Sequence, residues 1–323
     1  MLRALPGNGI PMARRLDAAL LGDGRALDAL RDAEPIDDHD AMVTLLAVHD
    51  LHVAPLDGLD GRARWQHHPA VATLKWSLEE RFLDRLRERE RRAAWHLPGR
   101  APAALRALAA MDRVPDAYRF LARSASLDEL RAFLSLEGGP DGGFDDLVAA
   151  CQVGLDGGAK LELARNYWDE MGNGVAGDVH TELHRRMCRA LGLEAVPRPE
   201  QPIEALDRAA LGSVLATNRA LQPEMVGALG LIELQAGPRC RQVVEGLRRV
   251  GAPADAFPFY EVHAAVDPKH GKDWVDHVVA PLSDDPAWGE GIVRGARWRW
   301  LVNDAFLSRA GAALLRPEQR QAS

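Results

Sequence analysis

A chain of 323 residues has room for one large core or two small ones. Its net charge of −7 is the wrong sign for an obligatory nucleic-acid partner, which needs a concentrated basic face. Apolar residues make up 47% and charged residues 27%, ordinary globular values, and no run approaches the roughly 18 apolar residues of a membrane span. The three cysteines, Cys151, Cys188 and Cys240, stand far apart with no C-x-x-C pair, which excludes a disulfide framework and a thiolate zinc site. With a Pro/Gly-rich start, MLRALPGNGIPMARR, that lacks an apolar signal-peptide core, this leads to a cytoplasmic address as the expectation.

Residues 1–100 read as helices joined by turns. Ala13–Leu21, Ala41–Leu51 and Val71–Arg91 carry apolar residues three and four apart, and strict alternation is rare. His67, His68 and Pro69 mark a loop, followed by an amphipathic helix with Leu74, Leu78, Phe82 and Leu86 on one stripe. The basic run Arg87–Arg92 carries both signs of charge, as a solvated helix face does. LPGRAP, residues 97–102, is the best linker, so residues 1–100 are expected to form an N-terminal helical extension and residues 101–323 the main domain. Ala104–Met111, Pro115–Arg123 and Leu127–Leu136 continue the helical pattern until the glycine-rich break 138–143. There is no G-x-G-x-x-G, P-loop or G-x-S-x-G, which removes the commonest nucleotide-binding and hydrolase readings.

A helix over 160–171, KLELARNYWDEM, stops at the GNG of residues 172–174, and another over 178–191 follows. Glu170 then sits in the last turn of one helix, against the macrodipole, and His180 in the first turn of the next; a cation between them would compensate the charge. His180 and His184 are at i and i+4, but HTELH is not the HExxH of a zinc protease. Further on, Leu211–Val250 supplies a helix pair. Within it Glu233 lies in the apolar run GALGLIELQAG: either it faces water or its burial is compensated by a cation. Glu137, Asp145 and Asp146 are further acidic candidates.

The most informative stretch is FPFYEVHAAVDPKHGKDWVDHVVAPL, residues 257–282. At about 100° per residue, His263, Asp267 and His270 fall within about 60° of one another on a helix, and two imidazoles with a carboxylate suit iron, manganese or zinc. Pro268 requires either a kinked helix or a fresh start with Asp267 as N-cap; His277 and Asp273 are reserve ligands on roughly the same face. A last helix spans Glu290–Leu315, where the Arg297–Trp300 alternation reads as packing in preference to base stacking.

Through NYWDEMGNG with VHTELHRRM, LGLIELQAG and YEVHAAVDPKHGKDW, over about residues 130–285, the sequence resembles the heme-oxygenase-like diiron oxidases and oxygenases, the iron-containing redox enzyme family. The resemblance implies an all-α, heme-oxygenase-like helical bundle with a metal-filled centre. It implies Glu170, His180, Glu233, His263, Asp267 and His270 as ligands of two Fe2+ ions, with Glu137 as an additional carboxylate, and O2 as co-substrate. Ferritin-like proteins compete for such a site, but they carry Glu-x-x-His on each of two helices, and here Asp267-x-x-His270 has no twin.

The function implied is a nonheme diiron oxidoreductase acting on a small amino-acid-, amine- or fatty-acid-like substrate, by N-oxygenation or by oxidative C–H or C–C cleavage. An external electron donor and a second copy of the chain are left open as partners, and neither a membrane nor nucleic acid is expected. The alternatives are a metal-free enzyme of the same superfold, thiaminase-like or a cofactorless oxidase, and a noncatalytic helical interaction protein. Arg165 and Arg241 could hold a substrate carboxylate or pair with surface acids; Tyr167, Trp168, Tyr260 and Trp274 are expected in the core.

Overall fold

The structure, a computed structural model, describes residues 11–22, 24–31, 33–137 and 143–315. Most of the glycine-rich break at 138–143 and the N-terminal Pro/Gly stretch through residue 10 lie outside the described residues. Among the described residues every regular element is helical. The first half holds α1 (Met12–Leu20), α2 (Gly24–Asp28), α3 (Asp38–Val53), α4 (Pro69–Arg92), α5 (Ala101–Met111), α6 (Asp116–Arg123), α7 (Leu127–Glu137), α8 (Phe144–Cys151) and α9 (Gly157–Glu170). Then come α10 (His180–Leu191), α11 (Ile203–Thr217), α12 (Gln222–Arg249), α13 (Pro258–Trp274), a π-helical segment Val275–Val279, α14 (Ala280–Leu282) and α15 (Pro286–Leu315).

Local chemistry sets the boundaries. The Asp37 carboxylate accepts the Asp40 N–H at 2.8 Å and caps α3, while Pro69 starts α4 where its missing N–H is no loss. Ser126 and Glu129 form a reciprocal capping box at the head of α7, with Glu129 N–H donating to Ser126 Oγ at 3.2 Å and Ser126 N–H to Glu129 Oε2 at 2.8 Å. The proline- and glycine-bearing stretch between α4 and α5 forms no helix.

Where the sequence leads to divisions 1–100 and 101–323, the compact units are Met1–Ala93 with Pro197–Thr217, and Ala94–Val196 with Asn218–Ser323. In the first unit α3 takes the centre, because Met42, Leu45, Leu46, Val48 and Leu51 leave it no polar face. It packs against α1, α4 and α11, and the predicted α4 stripe of Leu74, Leu78, Phe82 and Leu86 is buried.

In the second unit α12 is the axis, packed against α13, α15, α6 and α5. Gly271 of α13 makes a close approach to it: a Cβ there would lie 2.9 Å from the Glu233 carbonyl carbon, so any side chain would push the helices apart. That approach sets His270, one residue earlier, against Glu233. The Arg297–Trp300 run is packing, as its alternation suggests: Trp298 is buried, and Trp300 meets Trp95 edge to face at 5.6 Å.

Candidate metal centre

Four helices of the second unit each bring donors to one place. Glu170 ends α9 and His180 begins α10, and the turn between them is tight: at Gly172, φ is +60° and a Cβ would lie 2.5 Å from the Asp178 carbonyl carbon. Only glycine fits there, so the GNG break sets where Glu170 and His180 meet. Glu233 comes from the middle of α12 and is 3% exposed, which settles the choice between a wet and a buried face.

The α13 helix runs unbroken through Pro268, so Asp267 is not the cap of a fresh helix; its carboxylate is 2% exposed. Pro268 has no N–H for the Ala264 carbonyl four residues back, and Arg241 supplies the missing donor, Nη1 to Ala264 O at 2.9 Å. The guanidinium that the sequence offers as a carboxylate clamp thus mends the helix that carries His263, Asp267 and His270 on one face. Arg165 pairs with Glu162 at 2.9 Å.

Donor atoms of Glu170, His180 and His263 all lie within 4.8 Å of one another, and so do those of Glu170, Glu233 and His270. Glu170 belongs to both clusters. His180 Nδ1 lies 2.7 Å from Glu170 Oε2 but makes no hydrogen bond with it. His270 Nδ1 stands 3.7 Å from Glu233 Oε2 and 4.0 Å from Asp267 Oδ1, and both it and Asp267 Oδ2 lack a hydrogen-bond partner. Buried polar atoms are normally satisfied, and these two are not.

The outer atoms of the same groups are engaged. His270 Nε2 lies 3.0 Å from Asp169 Oδ2, and since a carboxylate only accepts, Nε2 carries the proton and Nδ1 presents its lone pair to the cluster. His263 Nδ1 donates to Phe259 O at 2.6 Å, which leaves Nε2 with the free lone pair by the same logic. Asn166 Nδ2 donates to Glu233 Oε1 at 2.6 Å. Asn166, Asp169 and Glu170 sit three and four residues apart on α9, and helical periodicity among the polar residues is the signal that singles out the first two. Carboxylate and carbonyl partners of this kind fix tautomer and ring orientation at metal sites.

Burial, with Glu170 repelling, raises the Glu233 carboxyl to about 7, although the His270 imidazole pulls it back. Burial raises Asp267 well above the carboxylate range, and Glu233 and Glu170 add to it. Burial also lowers the His263 imidazole to about 4. Without a cation, Asp267 stays largely protonated near neutral pH, Glu233 lies near its midpoint and His263 stays neutral.

The remaining candidates lie elsewhere. Glu137 is in neither cluster; it lies on the wall of a cavity of about 90 Å³ that borders the centre, where its Oε1 accepts the Tyr118 hydroxyl at 2.8 Å. Asp145 lines the same cavity and Asp146 is exposed. His184 packs on Phe259 with ring centroids 5.0 Å apart and joins neither cluster. The reserve ligands do not contribute: Asp273 pairs with Lys269 at 2.8 Å and His277 is exposed. His67 lies edge to face with His52 at 6.1 Å in the first unit. Of the four aromatics expected in the core, Trp274 is buried and donates to Val226 O at 3.1 Å, Tyr260 is buried, Tyr167 is half-buried, and Trp168 is 54% exposed.

The donors fit iron. Neutral imidazole nitrogens with hard carboxylate oxygens are the ligand type that iron takes, and no thiolate competes, since burial holds the cavity's Cys240 thiol well above its ordinary value.

An all-helical bundle whose centre gathers carboxylates and imidazoles around a shared glutamate has the donor set of a metal-binding protein. The chain matches the iron-containing redox enzyme family over residues 131–304, more than half its length, and it belongs to that family. Its fold, a heme-oxygenase-like bundle, is that of a CADD-like protein of unknown function from Nostoc punctiforme PCC 73102, at 18% identity and a TM-score of 0.51 over 73% of this chain and 100% of that one. No curated protein matches the chain. No helix among the described residues is long and apolar enough to cross a membrane.

Proposed function

We propose that this member of the family is an O2-dependent nonheme diiron oxidase or oxygenase acting on a small substrate. The observation that carries the reading is the pair of donor clusters sharing Glu170. Glu170, His180 and His263 would hold one ion and Glu170, Glu233 and His270 the other, with Asp267 beside the second, where its Oδ1 lies 4.0 Å from His270 Nδ1. When bound, two ferrous ions supply two of the four electrons that O2 takes on the way to water, the rest coming from the substrate or an external donor.

The chain's own residues position and seclude. Asp169 and the Phe259 carbonyl hold the two α13 imidazoles in the tautomers that present a lone pair, and Asn166 orients Glu233. Phe144, Ile232, Ala236 and Phe259 line the cavity with apolar surface, which would disfavour water where a substrate binds. Near pH 7 Glu233 lies close to its own midpoint, so an arriving cation would release its proton to solvent while Asn166 goes on donating to Oε1.

The test is anaerobic titration of the metal-free protein with ferrous iron, followed by O2. The reading expects two ions per chain and a transient visible absorption on exposure to O2. A single ion, or turnover undiminished by chelation, would send the protein to the mononuclear or metal-free class.

A further inference from the structure

The helix that ends in Glu170 carries an apolar patch on its outer face. Leu161 and Trp168, seven residues apart and so on one stripe of α9, are both exposed. The Trp168 ring lies across the turn that follows, where a Cβ at Gly174 would stand 3.0 Å from its Cη2, and Val175, the next residue, is exposed too. Single exposed apolar side chains are ordinary, but a leucine, a tryptophan and a valine grouped on one helix and its turn mark a contact surface.

Charge around the patch is layered. Arg165 pairs with Glu162 at 2.9 Å, and its side chain is 72% exposed where the acid's is 11%. On α13, Lys269 pairs with Asp273 at 2.8 Å, 75% exposed against 17%, and Lys272 pairs with Asp276 at 3.0 Å, again with the base outermost. The two helices present these bases together. The bond to Asp273 first, then the charges of Glu162 and Asp169 on α9, raise the Lys269 ammonium, and Asp276 lines one surface cleft with Leu161 and Arg165. On a chain of net charge −7 this is a basic rim around an apolar patch. It attracts an acidic partner, and two copies of the face would repel one another.

The patch also lies where the centre comes to the surface. Asp169, next to Trp168, accepts from His270 Nε2 at 3.0 Å and has a side chain 37% exposed, whereas Asn166, the outer partner of Glu233, is 4% exposed. His270 belongs to the cluster of Glu170 and Glu233. One carboxylate and one imidazole thus connect solvent to the place where iron would sit.

We propose that this face docks a small acidic protein that carries one electron at a time, and that its electrons enter the centre through Asp169 and His270. The inference rests on the diiron reading, because it names the external donor that such a centre draws on. Each transfer oxidises the carrier by one electron and takes one ferric ion to ferrous; two transfers restore both, and no bond forms or breaks. A patch of this extent suits an electron-transfer encounter, which buries less than about 1,200 Å² and is steered by charge, with the Trp168 indole as its anchor.

The probe is a reduced plant-type ferredoxin, an acidic iron–sulfur protein, with dithionite as a small reductant that needs no docking, and iron content is measured first. Ferredoxin is expected to bind the ferric-loaded full chain, at least about tenfold more weakly in 0.5 M than in 0.05 M salt. Trp168→Ala, and Lys269→Gln together with Lys272→Gln, should each weaken binding and slow ferric reduction by ferredoxin about tenfold, with the dithionite rate, iron content and thermal midpoint unchanged. Absence of binding, binding indifferent to salt, or ferredoxin rates unmoved in both variants would overturn the docking surface. Equal slowing with dithionite would overturn it too, by placing the effect at the centre instead of at the surface. Iron content alone decides the diiron reading: a protein that takes up two ions but binds no ferredoxin keeps that reading and loses the surface. One that takes up no iron yet binds ferredoxin with this salt and residue dependence keeps the surface and loses the electron route.

Discussion

Each compact unit buries a cluster of ionisable side chains, and the two clusters are built differently. In the first unit Glu79 lies against His49 Nε2 at 2.8 Å and Lys75 Nζ at 2.6 Å, with Thr217 donating at 3.4 Å. Its charge is answered within the chain. In the second unit Glu170, Glu233 and Asp267 are buried among imidazoles, with no lysine or arginine among the described residues paired to any of them. The other buried acids follow the first pattern: Asp207 has Arg85 at 2.7 Å, Glu224 has Arg294 at 3.0 Å, Glu162 has Arg165, and Asp40 accepts backbone N–H groups of Met12 and Ile36. A chain that compensates its other buried carboxylates, and leaves these three to imidazoles in a dry setting, reserves the place for an external cation.

The comparison is broken most directly at Glu170. Glu170→Ala removes the carboxylate common to both clusters and should abolish uptake of both ions, measured as iron per chain after anaerobic loading, with helicity by circular dichroism retained. His270→Ala touches one cluster and should lose one ion only. Equal iron loss in the two variants would mean that the clusters are not separate.

Stability sharpens the contrast through its sign. Glu79→Gln leaves Lys75 and His49 without their acid and should destabilise the metal-free protein by about 3 kcal/mol in urea unfolding. Asp267→Asn removes a carboxyl that burial and its acidic neighbours already disfavour, and at pH 8 should stabilise the metal-free protein by about 1 kcal/mol while weakening iron binding. Destabilisation by both changes would show Asp267 to be compensated from within the chain, as Glu79 is.

Much of this architecture is open to a reader of the sequence. Helix positions follow from apolar spacing and from local stop signals, and the six candidate donors, five of which fall in the two clusters with Asp267 beside them, stand out because an acid in an apolar helix, a glycine break and a histidine–aspartate–histidine face are each hard to explain singly. What stays hidden depends on distant packing. Nothing local tells α11 to group with α3 in the first unit, since its apolar stripe would serve any core. Pro268 leaves the course of α13 open because its remedy, Arg241, lies 27 residues earlier on α12. Asp169 gives no local sign of its role because its partner His270 is 101 residues away, and Trp168 reads as core although its side of α9 faces out.

Asp169 is the next point of leverage. It touches no proposed ion and acts through the His270 tautomer, so Asp169→Ala should weaken ferrous binding by about 10- to 100-fold at the Glu233–His270 cluster and leave the other cluster's affinity within error. Asp169→Asn, whose amide oxygen still accepts from Nε2–H, should recover most of the loss. Nitrogen NMR of the metal-free protein would read the cause: His270 protonated at Nε2 in the parent and mixed in the alanine variant. An unchanged tautomer with weakened binding would assign Asp169 a general electrostatic role instead.

The smallest effect is the pH dependence of stability, and its sign separates the buried carboxyls from the buried imidazoles. A carboxyl raised from 4.5 to about 7, as Glu233 is, binds more proton in the folded than in the unfolded state between those values, so folding stability falls as pH rises through that window. Asp267, also raised, acts in the same direction. Imidazoles lowered from 6.5 to about 4, His263 in this centre and His52 in the first unit, act oppositely, because the unfolded chain takes up their protons at higher pH than the folded one does; stability from them is lost as pH falls below 6.5. The two kinds of group oppose one another below pH 6.5, and above it the carboxyls dominate. The metal-free protein should therefore lose stability from pH 6.5 to 8, with Glu233 contributing about 1 kcal/mol of the loss. Ferrous iron needs the same carboxyls ionised, so the loaded protein should show the reverse slope over that range. Thermal midpoints measured with and without iron would test this, and a metal-free slope that is flat or rising would mean that Glu233 and Asp267 are already ionised, with a counter-charge supplied by the chain itself.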